Sequence, residues 1–255
     1  MRHNFVNDIG DYAKYALLRA LCSCAPPDVR LGVLWYLTEH VESNGDGRRR
    51  AHLSRDGWGD LDPELLGRMY ELEKSIQGKT GLHLSLIEQS GILPSSTAFF
   101  SEPLPDDGTS LRERVGQRAR WFVRAQRALG GCDFIFVDPD NGLEVKSAKP
   151  GTRPANKYAS TAEVTALLAD GAAVILYQHC DRSPWSAQRA RLCGQISSAV
   201  AAPLVIRSLR FGAFGARAFF CISGRPELTD TINAGLALLQ NRTRGWGKSH
   251  YLIFE

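Results

Sequence analysis

The sequence predicts an α/β fold in which a mostly parallel sheet lies between helices, with an antiparallel pair of strands near the C-terminus. Short apolar runs without polar alternation recur along the chain, and such runs are typical of strands that are covered on both faces. Segments with apolar residues at helical spacing separate these runs, as in parallel sheets with helical crossovers. Residues 204–211 and 217–223 are two further strands, and the Gly-Ala-Phe-Gly connection between them favours a hairpin.

The composition favours one α/β domain. The chain has 255 residues, of which 44% are hydrophobic and 23% are charged, as in ordinary globular proteins. We expect no membrane span, because no run approaches ~20 apolar residues, and no signal peptide, because the first eight residues lack an apolar core. The six cysteines form no CxxC pair, which indicates free thiols in a reducing cytoplasm. The net charge of +4 mildly favours an acidic partner.

The first half of the chain is predicted to contain a helix, a buried strand and a helical insertion. Residues 8–21 place apolar side chains at helical spacing, and residues 31–37 form the first buried strand. The polar stretch at about 49–91 is interpreted as a helical insertion, because Asp62-Pro63-Glu64 is typical of a helix start. Residues 91–100 offer a second strand.

The second half alternates helices and strands. A helix is predicted over residues 111–129, and an apolar strand follows directly at 134–137. The polar segment 143–158 is expected to be a long loop that moves or covers a site. Further helices are predicted at 160–170, 186–201 and 226–240, and further strands at 172–177 and 249–254.

Polar side chains follow two of these strands at the point where each ends. Asp138, Pro139, Asp140 and Asn141 come directly after the strand at 134–137, and His179 follows the next strand along the chain. Because open α/β sheets bind ligands at the carboxyl ends of their strands, these five residues are the candidate catalytic residues. The alternatives are turn geometry for the Asp and Asn residues and a structural role for the histidine.

Arginines are concentrated in two places. Arg48, Arg49 and Arg50 follow a Gly-Asp-Gly segment, and Arg120, Arg124 and Arg127 share one face of the helix predicted at 111–129. Both groups are candidate contacts to the phosphates of a nucleic acid. A solvated helix face is the alternative explanation for the second group.

Several local patterns resemble one family, the J-type ribosomal RNA adenine-N6 methyltransferases. Residues 10–15, Gly-Asp-Tyr-Ala-Lys-Tyr, are similar to its Ala-Asp-x-x-Lys-His helix, and residues 45–48, Gly-Asp-Gly-Arg, stand where it has Gly-Ala-Gly-Arg. Asp138-Pro139-Asp140-Asn141 matches in place its Asp-Pro-Pro-Tyr loop, although it supplies no aromatic ring and adds a carboxylate. The last strand, from His250 to Glu255, is also similar.

The resemblance implies a Rossmann-like methyltransferase fold, S-adenosylmethionine as cofactor and a nucleic-acid substrate, RNA or DNA. Asp138 would accept a hydrogen bond from the nucleophilic amine, and Asp140 or His179 would remove a proton from the product. The glycines at 45 and 47 would permit close approach of the backbone to the cofactor. The residues that the resemblance implies for cofactor binding are Lys14, Thr38, Glu39, Gly45, Asp46, Gly47 and Asp138.

Two other classes of protein remain open. In the first, a metal-dependent nuclease or phosphoesterase, Asp138, Asp140 and Glu144 would hold Mg²⁺, and Glu144-Val145-Lys146 is similar to the Glu-x-Lys of restriction-type nucleases. In the second, a non-catalytic binding module, the fold is kept without the cofactor. The irregular glycine segment at 45–47 favours this second class.

Overall fold

The structure is a computed structural model that describes residues 2–38, 49–53, 58–77, 82–212, 215–244 and 252–255. Over these residues the chain has an α/β fold with a mixed, mostly parallel sheet, as the sequence predicts. The strands in chain order are β1 (Leu31–Trp35), β2 (Ala98–Phe100), β3 (Phe134–Asp138), β4 (Gly142–Leu143), β5 (Tyr158–Ala159), β6 (Ala173–His179), β7 (Val205–Phe211), β8 (Arg217–Ser223) and β9 (Leu252–Phe254).

The main sheet has the strand order β2-β1-β3-β6-β8-β7-β9 within the described residues. Strands β2, β1, β3 and β6 are mutually parallel, whereas β8 is antiparallel to both of its neighbours, β6 and β7. The β7–β8 pair closes with Phe211 opposite Arg217, so the predicted antiparallel pair is confirmed. Because β7 and β8 are joined by a short connection, they pair directly with each other, while the parallel strands need crossovers.

The helices of the described residues are α1 (Ile9–Cys24), α2 (Pro63–Ile76), α3 (Ser85–Gln89), α4 (Leu111–Ala128), α5 (Thr161–Ala169), α6 (Trp185–Ser197) and α7 (Pro226–Arg242). Asp8 is the N-cap of α1, and its carboxylate accepts a hydrogen bond from the Gly10 amide. The first helix is longer than predicted and ends at Cys24, and the helix predicted over 186–201 already ends at Ser197.

Apolar side chains on both faces of the sheet form two cores. Val33, Phe136 and Ile175 face the core that contains α1, α2 and α7. Leu34, Ile135 and Val174, their neighbours in sequence, face the core that contains α4, α5 and α6. Two buried faces explain why the strands read as continuous apolar runs. They also fix the register, because a shift of one residue would exchange the two faces.

The residues between β1 and β2 contribute to the first of these cores. The described part of this stretch is largely helical, and Trp58, Leu65 and Met69 are fully buried in the same core as α1. Asp62 caps α2 by accepting a hydrogen bond from the Leu65 amide. The segment therefore packs against the sheet's own helices and shares their hydrophobic core.

The register of the parallel strands brings their carboxyl ends to one edge of the sheet. Trp35 lies opposite Asp138, so β1 and β3 end together. The segment 143–158, predicted as a long loop, is instead held by the short parallel pairing of β4 with β5. The Gln178 carboxamide supports this pairing, because it accepts from the Leu143 amide at 3.0 Å and donates to the Asn141 carbonyl at 3.1 Å.

No helix in the part of the chain that the structure describes is long and apolar enough to cross a membrane. All six cysteines are free thiols, as predicted.

We predict that Gly235→Ala weakens the packing of α7 against α1. A Cβ at this position would lie 2.8 Å from a side-chain carbon of Leu21 and 3.1 Å from its Cα, so the two helices would have to separate. We expect the free energy of unfolding in urea to fall by about 1–3 kcal/mol.

Gly194→Ala is the matched control, because no atom lies within 4 Å of its Cβ position on α6. This substitution should raise the free energy of unfolding by about 0.5–1 kcal/mol through helix propensity. Equal effects of the two substitutions would contradict the close contact between α1 and α7.

Candidate functional site

A cavity of about 430 Å³ lies at the edge where the parallel strands end. Its walls come from the chain before α1, the first turns of α1, the ends of β3 and β6, and the start of β8. The described residues that line it are Arg2, Phe5, Asp8, Gly10, Asp11, Lys14, Arg49, Asp138, Pro139, Asp140, Asn141, Lys157, Tyr177, His179, Gly215 and Arg217. All five candidate catalytic residues, Asp138, Pro139, Asp140, Asn141 and His179, therefore line this cavity.

Lys14 of α1 connects this helix to the end of β3 through two ion pairs. Its ammonium donates to the Asp138 carboxylate at 2.7 Å and to the Asp11 carboxylate at 3.0 Å. All three side chains are buried, and the rings of Trp35 and Phe136 lie 5.5 and 5.7 Å from the ammonium. Burial opposes the charge of Lys14, but the two carboxylates outweigh it and raise the pKa of the ammonium above its ordinary value.

Asp11, Lys14 and Asp138 together carry a net charge of one negative unit when both acids are ionised. This net charge is buried. Burial raises the pKa of Asp11 to about 6, although the neighbouring Lys14 opposes the shift. Asp11 also accepts a hydrogen bond from the Asn7 amide at 3.0 Å. Protonation of Asp11 would leave Lys14 and Asp138 as a neutral pair, so the cluster can take up one proton without losing the link between α1 and β3.

Asp140 lies between the first cavity and a second one of about 810 Å³. The two cavities share Arg2, Asp140, Asn141 and Lys157, and Thr38 lines the second. Burial raises the pKa of Asp140, but nearby positive charges, Arg2 and Lys157 among them, more than offset it and lower the pKa below its usual range. Arg2 approaches the carboxylate to 3.5 Å. The Asp140 carboxylate could therefore contact a ligand in either cavity.

The glycine segment predicted to hold a cofactor, Gly45, Asp46 and Gly47, lies outside the described residues. Glu39 and Arg48 lie outside them as well. The two flanks of this segment are described. Thr38 lines the second cavity, and Arg49 lines the first, where its amide donates to the Asp8 carboxylate at 3.0 Å. Both flanks thus lie at the sheet edge that carries Asp138.

His179 is the last residue of β6 and is exposed where it lines the first cavity. Partial burial of its ring and the charge of Arg217 lower its pKa below the ordinary value. The imidazole is therefore neutral at pH 7, which leaves one ring nitrogen able to accept a proton.

The arginines predicted to contact nucleic acid lie mostly elsewhere. Arg120, Arg124 and Arg127 are exposed on α4, as the spacing predicts, but none of them lines either cavity. Arg124 pairs with Glu102 at 2.7 Å. Arg50 pairs with Glu73 at 2.7 Å and donates to the Val6 carbonyl. Arg49 is the only member of the two groups, among the described residues, that lines the first cavity.

Glu144 does not join Asp138 and Asp140. Its carboxylate accepts a hydrogen bond from the Thr161 amide at 2.7 Å, in the first turn of α5, and it lines neither of the two cavities. Among the described residues, no group of three His, Cys, Asp or Glu side chains is arranged to hold a metal ion. The ligand set proposed for the nuclease alternative is therefore not assembled, because the Glu144 carboxylate is bound at the start of α5.

Several residues that line the first cavity are not among the candidates from the sequence. Asp11 lies three residues before Lys14, so helical spacing alone could have paired them. Arg217 lies opposite His179 across β6 and β8, which becomes visible only when the register is known. No sequence signal marks Arg2, Lys157 or Tyr177 as members of the site.

Neither a protein-family model nor a curated protein matches this sequence. The function is therefore inferred from the chemistry of the site.

We predict that Asp11 makes stability depend on pH. In the folded protein Asp11 keeps its proton up to about pH 6, whereas an unfolded Asp keeps it only up to about pH 4. The folded state binds more protons between these values, so this contribution to stability increases as the pH falls from 6 to 4. Over this range wild type should gain about 2 kcal/mol in urea unfolding relative to Asp11→Asn.

Asp230→Asn, an exposed substitution on α7, is the control and should follow the wild-type curve. If wild type and Asp11→Asn show parallel pH dependence, Asp11 does not titrate in this range.

Proposed function

We propose that this protein is a methyltransferase that uses S-adenosylmethionine and acts on nucleic acid. The observation that carries the proposal is the position of Asp138. This carboxylate ends the central parallel strand β3, begins an Asp-Pro segment, and is held at a cavity by the buried Lys14 of α1. The same acid, followed by proline, and the same lysine helix are the patterns that resemble the J-type family.

The topology of the sheet supports a Rossmann-like methyltransferase fold. Four parallel strands, β2, β1, β3 and β6, are followed by an antiparallel strand, β8, inserted between β6 and β7. A parallel sheet followed by an antiparallel pair of strands, here β7 and β8, is the arrangement expected of the Rossmann-like methyltransferase fold. The strand β9, antiparallel to β7, extends the sheet at that edge.

The second cavity fits the cofactor. S-adenosylmethionine would supply an electrophilic methyl group on a positively charged sulfur. Asp106, Asp107 and Thr38 line this cavity together with Arg2, Arg153 and Lys157, and Arg153 pairs with Asp106 at 3.3 Å. Carboxylate and hydroxyl oxygens suit the ribose hydroxyls, and the cations suit the carboxylate of the cofactor. Asp140 and Asn141 line both cavities. The cofactor would therefore lie on one side of the Asp-Pro-Asp-Asn segment and the nucleotide on the other.

Asp138 would orient the amine that accepts the methyl group. A carboxylate accepts hydrogen bonds only, and the ion pair with Lys14 at 2.7 Å holds the Asp138 carboxylate at the end of β3. A hydrogen bond from the amine would direct the nitrogen lone pair at the methyl carbon, and such alignment supplies much of the acceleration in group transfer. The transfer would form the N–C bond while the C–S bond of the cofactor breaks, and Asp138 would hold the nitrogen in line for it.

The methylated nitrogen carries a positive charge and must lose a proton. His179 is neutral at pH 7, because its pKa is lowered, and Asp140 is ionised for the same reason. Both line the cavity that contains Asp138. Either group can take the proton, and neither needs to be activated first.

We also place this protein in the cytoplasm. The support is the state of its six cysteines, which are free thiols, since a reducing compartment keeps thiols in this form.

We predict that Asp138→Asn abolishes methyl transfer and leaves the fold intact. The amide removes one of two carboxylates around Lys14, so the remaining Asp11–Lys14 pair is neutral and still buried. Cofactor binding is measured by calorimetry, and methyl transfer by the incorporation of labelled methyl groups into RNA and into DNA. We expect activity to fall at least 100-fold, with a thermal midpoint close to that of wild type.

Asp230→Asn serves again as the exposed control and should keep full activity. A parallel titration with Mg²⁺ and Mn²⁺ tests the nuclease alternative, in which Asp140→Ala would lose metal binding. The proposal fails if wild type binds no S-adenosylmethionine. It also fails if Asp138→Asn transfers methyl groups at the wild-type rate.

A further inference from the structure

Arg217 is a buried cation that has no hydrogen-bond partner for Nε or Nη1 among the described residues. It is the first residue of β8, is 9% exposed and lines the first cavity. Its guanidinium carbon lies 5.9 Å from the ring centre of Phe211. No carboxylate of the described residues forms a salt bridge with it, whereas Lys14 in the same cavity has two. Within the described part of the chain, Arg217 therefore lies in the site without a salt bridge to a carboxylate.

The first turn of α1 is shaped around this guanidinium. A Cβ at Gly10 would overlap Nη1 of Arg217, so the guanidinium packs against the backbone of the helix N-terminus. Asp8 caps this end of α1 and uses its two carboxylate oxygens on the amides of Gly10 and Arg49. A cation at a helix N-terminus is electrostatically unfavourable, and a buried charge without a partner is costly. An anion bound at Arg217 would remove both costs.

We propose that Arg217 binds a phosphate group of the nucleotide that is methylated, an inference that rests on the proposed function. Asp138, which would hold the base amine, and Arg217 line the same 430 Å³ cavity. A base and its phosphate belong to one nucleotide, so one ligand satisfies both groups. The planar guanidinium offers two parallel N–H donors, a geometry that matches phosphate oxygens.

The charge of the cavity agrees with this ligand. Among its described lining residues there is one more Arg or Lys than there are Asp residues, and His179 is neutral. A phosphodiester carries one negative charge, so its binding would bring the lining to balance. The four acids of the lining are already engaged: Asp11 and Asp138 by Lys14, Asp140 by Arg2, and Asp8 by the Gly10 and Arg49 amides. Arg217 forms no salt bridge with an acid of the described residues.

The proposal is tested by the binding of a fluorescently labelled single-stranded oligonucleotide, RNA and DNA, to the full chain. Arg217→Gln should weaken binding about 10-fold and reduce the slope of log K against log salt by about 0.7, as for the loss of one phosphate contact on a single strand. Gly10→Ala keeps the charge but displaces the guanidinium, so it should weaken binding as well.

Arg191→Gln is the matched control, because this exposed arginine of α6 pairs with Asp181 and lines neither cavity. It removes one positive charge and should leave the affinity unchanged. Arg217→Lys retains the charge without the planar donors and should give an intermediate affinity. It keeps the test valid if Arg217→Gln does not fold, which the thermal midpoint of each variant reveals.

Two further measurements separate this proposal from the proposed function and from a simple ion site. Binding of S-adenosylmethionine, measured by calorimetry, should be the same in Arg217→Gln and wild type. If wild type binds no S-adenosylmethionine but its oligonucleotide affinity still depends on Arg217, the methyltransferase proposal fails and the phosphate site stands. Inorganic phosphate should compete only weakly with the oligonucleotide.

Three results would overturn the assignment of Arg217. The first is equal oligonucleotide affinity in Arg217→Gln and Arg191→Gln. The second is loss of S-adenosylmethionine binding in Arg217→Gln with oligonucleotide binding intact, which would assign Arg217 to the carboxylate of the cofactor. The third is binding of inorganic phosphate that Arg217→Gln abolishes without any effect on the oligonucleotide.

Discussion

The ion pair between Lys14 and Asp138 is the interaction on which the geometry of the site depends. It joins residues 124 positions apart at 2.7 Å in a buried environment, and so ties the first helix to the end of the central strand. The pair is stable there because Asp11 supplies a second carboxylate and aromatic rings surround the ammonium. Removal of the lysine alone would leave two buried carboxylates without a counter-ion, a costly arrangement.

The cavity is therefore built from parts that come together only through the sheet. Helix α1 provides Asp11 and Lys14, β3 provides Asp138, and the β6–β8 pairing sets His179 opposite Arg217. Each of these groups has a different electrostatic state: a charged pair, a neutral imidazole and a buried guanidinium. Such differences between neighbouring titratable groups are typical of sites that move protons and bind anions.

The fold could be predicted from the sequence largely because its strands are covered on both faces. The apolar runs at β3 and β6 and the hairpin of β7 and β8 are visible in the residue pattern, as are the polar ends at Asp138 and His179. The sequence could not predict that Arg217 is buried without a salt bridge to any described carboxylate, because an arginine at the start of a strand is usually solvated. The arginines of α4 are a different case, because their role as contacts to nucleic acid stays a prediction. Arg120, Arg124 and Arg127 do share one exposed face of α4. Helical spacing alone does not show which molecule contacts this face.

Gln178 has a consequence for how the site recognises its ligand. Gly142 has a φ of +112°, and the carboxamide of Gln178 occupies the space that a side chain at this position would need. The tips of β3 and β6 are thereby fastened to each other just beyond the acid and the imidazole. This side of the pocket is therefore held by hydrogen bonds between the two strand ends. We expect ligands of different size to be accommodated on the opposite wall, where the N-terminal residues and the start of α1 line the cavity.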